Sequence, residues 1–185
     1  RLAFPIFAFL LVEGFFHTRD LKRYVLRLLL LALLSEIPFD LMYAGTSFFP
    51  FHQNVIWTFL IALFCMWVIE RVKRRGNLWL TLLAAAGMSL AGWLAGTIAM
   101  VDYYGAGVLT VLLFYLFRGG LWWQRLGQAA GMIWINCGLL AGLVLQVNIL
   151  GLTVEFPQQG FALLALIPIW LYRGRQGYHS RWVQT

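Results

Sequence analysis

Three carboxylates and one arginine sit where an apolar sequence makes charge expensive: Glu13, Glu36, Asp40 and Arg1. An ionisable group inside a membrane span costs about 2.5–3.5 kcal/mol on insertion scales, so each needs a partner or a task. Glu36 and Asp40 are one helical turn apart and share a face. Pro38 between them removes a backbone donor and predicts a bend at the carboxylates. Two tasks fit. In one, Arg1 pairs with Glu36 or Asp40 and pins two helices. In the other, Arg1 orients an anionic or carbonyl group while a carboxylate acts as base, burial and a neighbouring cation pulling its proton affinity in opposite directions.

Further polar groups flank the apolar runs. His52, Gln53 and Asn54 stand just before one run; Asn54 suits a helix cap, and His52 supplies an imidazole, the group that changes charge most readily near neutral pH. Asp102, Tyr103, Tyr104 and Gly105 make a second polar turn, in which Asp102 is expected to cap the next helix and Gly105 permits close backbone approach. His17 closes the first run, ahead of Thr18 and Arg19, where an imidazole is ordinarily solvated. Arg1, Glu36, Asp40, His52 and Asn54 form the candidate catalytic set, and Glu13, His17, Asp102 and Tyr104 the candidate substrate-contacting set. Asn136, Gln146 and Asn148 are expected to hydrogen-bond between helices. There is no Ser-His-Asp order, no phosphate loop and no cysteine–histidine spacing suited to a metal. Cys65 and Cys137 lie in apolar runs and read as small buried hydrophobes.

The elements that must hold these groups follow from composition. Of 185 residues, 62% are apolar or aromatic and 11% charged, with a mean hydropathy of +0.78. A soluble domain carries about 25% charged residues, so this chain lacks the polar surface to meet water on all sides. Disordered, collagen-like, coiled-coil and disulfide-scaffold classes fail on the same composition. Seven apolar segments are read: Leu2–Phe16, Tyr24–Tyr43, Val55–Ile69, Leu78–Val101, Tyr103–Phe117, Leu126–Leu150 and Gly160–Tyr172. A spanning helix needs about 17–25 residues; the second, fourth and sixth segments meet that, and the others must borrow flanking residues or span partially. Their continuous apolar character does not alternate as membrane-barrel strands do. The prediction is an all-α, polytopic transmembrane bundle of about seven segments, forming one membrane domain over residues 1–185.

Charge orients the bundle. Arg19, Lys22, Arg23 and Arg27 follow the first segment, Arg71, Lys73, Arg74 and Arg75 the third, Arg118 and Arg125 the fifth, and Arg173, Arg175 and Arg181 the seventh. The alternate linkers, Ala44–Asn54, Asp102 and Gly151–Gln159, hold no Lys or Arg. The positive-inside rule places the basic linkers in the cytoplasm, hence Arg1 outside and Thr185 inside. The net charge of +7 then needs no nucleic-acid partner; the lipid bilayer is the partner, and the basic rims can hold anionic lipid. Tryptophans near segment ends read as interfacial anchors. Small residues four apart, in Gly92–Gly96, Gly127–Gly131 and Gly138–Gly142, allow close helix packing within the bundle or, less simply, self-association. No repeat of either half is visible, which disfavours an inverted-repeat transporter.

The run RLAFPIFAFLLVEGFFHTRDLKRYVLRLLLLALLSEIPFD resembles the TraX family of bacterial inner-membrane proteins. The likeness continues at Gln53–Asn54–Val55, at DYYGAGVLTVLLFYLFR from Asp102 to Arg118, and at FALLALIPIWLY in the seventh segment. It implies acetylation of the N-terminus of a conjugative pilin, or of another amine or hydroxyl, with acetyl-CoA as donor; many relatives have no known substrate. The resemblance also implies an earlier segment with an Asp-His pair before Arg1 and a final apolar segment after Thr185, so the chain is expected to be a fragment. Such a reaction needs a base for the amine, a role open to Glu36 or His52, and a group for the tetrahedral oxyanion, a role open to Arg1 or Asn54. Two other functions remain open from the residues: a proton-coupled transporter relaying through Glu13, Glu36 and Asp40, and a non-enzymatic membrane partner of a conjugation or secretion machine that uses its glycine faces.

Overall fold

The structure is a computed structural model that describes residues 2–140, 144–149, 152–172 and 174. Its elements in order are α1 (Ala3–His17), α2 (Leu21–Ala44), α3 (Val55–Lys73), α4 (Leu78–Ile98), α5 (Tyr104–Leu116), α6 (Trp122–Ile133), a π-helical turn (Trp134–Leu139), strands β1 (Val144–Ile149) and β2 (Leu152–Pro157), a 3-10 segment (Gln158–Ala165) and α7 (Leu166–Leu171). Helices dominate. Three of them start where a short polar side chain satisfies a free amide of the first turn: the side chain of Asp20 accepts from Arg23 N at 3.1 Å, Asn54 from Ile56 N at 3.0 Å and Asn77 from Leu80 N at 3.1 Å. Helix α2 runs through Pro38 and stops at Gly45, whose φ of +69° is a left-handed conformation suited to glycine.

The helices run back and forth between two ends. At one end Phe4 of α1 stacks on Tyr103, with ring centroids 4.2 Å apart, and on Phe59 of α3 at 5.9 Å. At the other, Glu13 of α1 meets Arg118 beyond α5, and the Tyr115 hydroxyl donates to Glu70 of α3 at 3.0 Å. The linkers rich in Lys and Arg thus gather at the end holding Glu13 and Glu70, and the linkers around His52 and Asp102 gather at the opposite end.

The core joins α1, α3, α5, α6 and the C-terminal helical segment through residues such as Ala8, Val12, Leu63, Met66, Val108, Leu112, Met132 and Ile169. Helices α4 and α5 approach through glycine. A Cβ on Gly92 would lie 2.8 Å from Val108 Cγ1, and one on Gly96 2.9 Å from the Tyr104 carbonyl oxygen. A Cβ on Gly127 or Gly131 would collide with Phe117 or Leu113. These small residues pack inside the bundle, as expected from their spacing.

The outer surface is apolar. Leu30, Leu34, Ile37 and Leu41 of α2 and Leu78, Leu83, Leu90 and Ile98 of α4 are all exposed. A continuous apolar belt of this kind marks a surface facing lipid or a partner rather than water. Helices α3 and α4 are each long and apolar enough to cross a membrane. Helix α2 is longer still, at 24 residues, and carries Glu36 and Asp40 within it.

The sixth apolar segment departs from expectation. Helix does not continue to Leu150: it loosens into the π-helical turn, and residues 144–149 form β1, paired antiparallel with β2 from Val144 opposite Pro157 to Ile149 opposite Leu152. The β-branched Val144, Val147 and Ile149 favour strand, and periodicity alone does not separate a buried strand from a buried helix in so apolar a run. Asn136 donates its amide at 2.9 Å to Met132 O, one turn back along its own helical stretch. Cys65 is buried in the core and Cys137 half-buried.

Candidate functional site

Glu36, Asp40 and Asn54 come together where the C-terminal half of α2 meets the start of α3. Asn54 is 3% exposed and does three things. Its carbonyl oxygen caps α3, while its amide donates to Ala32 O at 2.9 Å and to Glu36 Oε2. The same Glu36 oxygen accepts from Trp57 Nε1 at 2.9 Å. Asp40 is 2% exposed and accepts from Phe49 N at 2.8 Å through Oδ2. The other oxygens, Glu36 Oε1 and Asp40 Oδ1, are buried with no hydrogen-bond partner among the described residues. Leaving such an oxygen unmet costs about 1–3 kcal/mol, a cost the described fold does not recover. Asn54 spends its amide on Ala32 and Glu36, so here it braces the glutamate rather than pointing a donor outward.

The bracing can be measured. Asn54→Ala is expected to lower stability by about 1–2 kcal/mol through the lost cap and to release Glu36. Asn54→Asp keeps a capping oxygen but also loses the donor and sets a second carboxyl against Glu36, so it should stay destabilised relative to wild type in detergent-solubilised thermal unfolding, and a wild-type midpoint would contradict the bracing.

Beside this pair two loops clamp each other. Gln53 N donates to Met100 O at 3.0 Å and Asp102 N to Gln53 O at 2.9 Å, a parallel bridge between Gln53 and Val101. Thr58 Oγ1 donates to Asp102 O at 2.8 Å. The clamp sets His52 Nε2 3.8 Å from Asp102 Oδ1, with the imidazole stacked on Tyr43 at 4.5 Å and 6.1 Å from the Tyr104 ring. Met100, Tyr103 and Tyr104 have φ of 51°, 61° and 47°, left-handed for residues with a Cβ, at about 1–3 kcal/mol each. Because the chain turns through these conformations, Asp102 does not cap α5 as expected; its carboxylate takes Tyr103 N at 3.1 Å instead, and α5 starts without a side-chain cap.

Burial raises the proton affinity of Asp102, and the facing His52 and the Tyr103 amide partly lower it. A carboxyl whose folded pKa lies above its unfolded value stabilises the fold most below the unfolded pKa and loses that contribution as pH climbs through the folded one. Wild-type stability should therefore fall across the pH range just above the ordinary aspartate value, and Asp102→Asn should remove that fall. Thermal unfolding from pH 3 to pH 7 reads it directly; equal slopes in the two proteins would contradict the assignment.

Glu13 and His17 lie at the other end. Arg118 grips Glu13 with two bonds, Nε to Oε1 at 2.7 Å and Nη2 to Oε2 at 3.2 Å. His17 Nδ1 hydrogen-bonds Glu13 O at 2.8 Å, and its side chain is mostly exposed. Around them opens a cleft of about 450 Å³ lined by Arg118, Gly119, Gly120, Arg125, Gln128 and Trp170, among others. Gln128, 2% exposed, holds the wall: it donates to Phe117 O at 2.9 Å and accepts from Trp170 Nε1 at 2.8 Å. The candidate residues thus separate into two groups at opposite ends, and Arg1 lies outside the described residues.

Trp57, Phe49 and Arg118 hold the carboxylates yet stood outside the candidate sets. Trp57 reads as an interfacial anchor, Phe49 acts through its backbone, and Arg118 reads as a rim charge. The one usable signal is that Glu13 needs a cation, and Arg118 is one of several basic residues that follow the short runs closing at the same face.

The fold and these sites define a helical, membrane-associated protein with carboxylates buried at one end and a cationic cleft at the other. A family model described as TraX protein matches residues 1–180, and the chain belongs to the TraX family. Over 75 residues it is 36% identical to a protein of Dichelobacter nodosus named "Probable fimbrial assembly protein FimC, serogroup H1". The match covers 37% of this chain and 31% of that protein, so the chain spans about a third of that relative's length. No solved structure matches.

Proposed function

We propose that this TraX-family chain is a multi-pass protein of the bacterial inner membrane, its basic end in the cytoplasm, that takes part in acetyl transfer to the N-terminal amine of a pilin or to another amine or hydroxyl. The observation that carries the reading is the pair of buried oxygens, Glu36 Oε1 and Asp40 Oδ1, one turn apart on α2 and unpartnered among the described residues. An incoming ammonium group brings the donors that these oxygens lack. One carboxylate then accepts a proton from it, and the neutral amine attacks the acetyl carbonyl; the carbon–nitrogen bond forms as the carbon–sulfur bond of the thioester breaks, and the nitrogen's second proton passes to the leaving thiolate. His52, oriented by Asp102, is the nearby group able to receive or return a proton. Acetyl-CoA is the proposed donor, and the cleft around Arg118 and Arg125 suits its phosphates.

The reading carries a geometric demand. Phe4 and Glu13 mark the two ends on α1, nine residues or roughly 14 Å apart at ~1.5 Å per residue, and the acetyl group must cover that separation. The fimbrial name of the relative supports a pilus-related acceptor. A relay through Glu13, Glu36 and Asp40 finds less support, because Glu13 is held by Arg118 away from the other two. The test is transfer from labelled acetyl-CoA in membranes holding the full-length protein and a pilin acceptor, with a homologue assayed alongside; an acceptor left unlabelled while the homologue labels its own defeats the proposal.

A further inference from the structure

Between α2 and α3, at the basic end, two cavities share the residues Arg19, Leu21 and Trp67. One, of about 410 Å³, is polar and basic, with Thr18, Arg19, Arg71 and Arg74 in its wall. The other, of about 780 Å³, runs along the helices between Val25, Leu26, Leu29, Leu60, Leu63 and Phe64. A charged chamber opening into an apolar groove is the shape of an amphiphile.

The charges select which one. Glu70 is the one carboxylate in the chamber wall, and Lys73, 3.7 Å away, and the Tyr115 hydroxyl already engage it. Arg23 and Asp20 pair at 3.1 Å beside the groove. Among the described residues Arg19 and Arg74 have no ion-pair partner, and the Arg71 guanidinium lies over the Trp67 ring at 5.5 Å with no carboxylate. The chamber therefore keeps a positive excess that a zwitterionic headgroup meets poorly and an anionic phosphate meets well. Trp67 stands where the two cavities join, the depth at which an indole favours the interface.

We infer that this site binds one anionic phospholipid, its headgroup phosphate in the chamber against Arg19, Arg71 and Arg74 and acyl chain in the groove between α2 and α3. The inference stands apart from acetyl transfer, for it uses neither Glu36 and Asp40 nor the cleft at Arg118.

The test is lipid retention by the purified chain after transfer from nanodiscs of phosphatidylcholine with equal phosphatidylglycerol, read by native mass spectrometry. Phosphatidylglycerol should be retained in preference, and Arg19→Gln and Arg74→Gln should each cut that preference about fivefold. Arg27→Gln, at the same end but lining neither cavity, should leave it unchanged. Leu26→Trp, which fills the groove, should lower retention of both lipids, and circular dichroism checks that each variant is folded. Equal retention of the two lipids overturns the site, as does a preference that survives the Arg19 and Arg74 changes.

Discussion

Asp40→Asn is expected to lower acetyl transfer by about 10²–10⁴-fold, the range for removing a general base, while the protein stays folded. The amide keeps an oxygen for Phe49 N, so the contact that closes the loop onto α2 survives. What is lost is a carboxylate oxygen able to hold an ammonium and take its proton. Glu36→Gln should act in the same direction, since a carboxamide oxygen still accepts from Asn54 and Trp57. The measurement is initial rate against acceptor concentration, with thermal unfolding in parallel. Full activity in both variants would remove the carboxylate pair from the chemistry and leave it a bracing role.

Gly105→Ala should be strongly destabilising. Its Cβ would lie 2.3 Å from both the Trp93 carbonyl oxygen and Trp93 Cδ1, and 2.8 Å from Thr97 Oγ1. A backbone carbonyl inside α4 cannot step aside, so α5 must move away, at about 3 kcal/mol or more. That shift also disturbs the Asp102 loop immediately before it. Gly87→Ala, on the same helix α4 with nothing near its Cβ position, should instead stabilise by about 0.5–1 kcal/mol through reduced unfolded-state freedom. The opposite signs, read as shifts in thermal midpoint in one detergent, separate packing from helix propensity.

Much of the helical frame was legible because hydrophobic runs and caps are local. The runs beginning at Val55 and Leu78 became α3 and α4, with Asn54 capping α3 as expected, and the Gly92–Gly96 pair packed inside the bundle as its spacing suggested. The run from Leu126 misled, because an unbroken apolar stretch looks alike as a buried helix and as a strand. Glu36, Asp40, His52, Asn54, Asp102 and Tyr104 could be singled out by type, and α2, α3 and two linkers do bring them to one end. His17, close to Arg19, could be placed at the basic end in advance, whereas Glu13 could be read only as needing a partner, since polarity in a span does not say which residue supplies it.

The amino-acid sequence by itself determined a helical, lipid-facing chain of the TraX family, with its basic linkers on one side, because composition, hydrophobic run length and linker charge are sums over neighbouring residues. Only the tertiary structure decided who meets whom. Arg118 closes on Glu13 from 105 residues away, Trp57 and Asn54 share one oxygen of Glu36, and the loops at Gln53 and Val101 bridge to bring His52 to Asp102. These are long-range pairings set by how the helices pack, and no local pattern encodes which polar atoms that packing satisfies and which, like Glu36 Oε1 and Asp40 Oδ1, find no partner among the described residues.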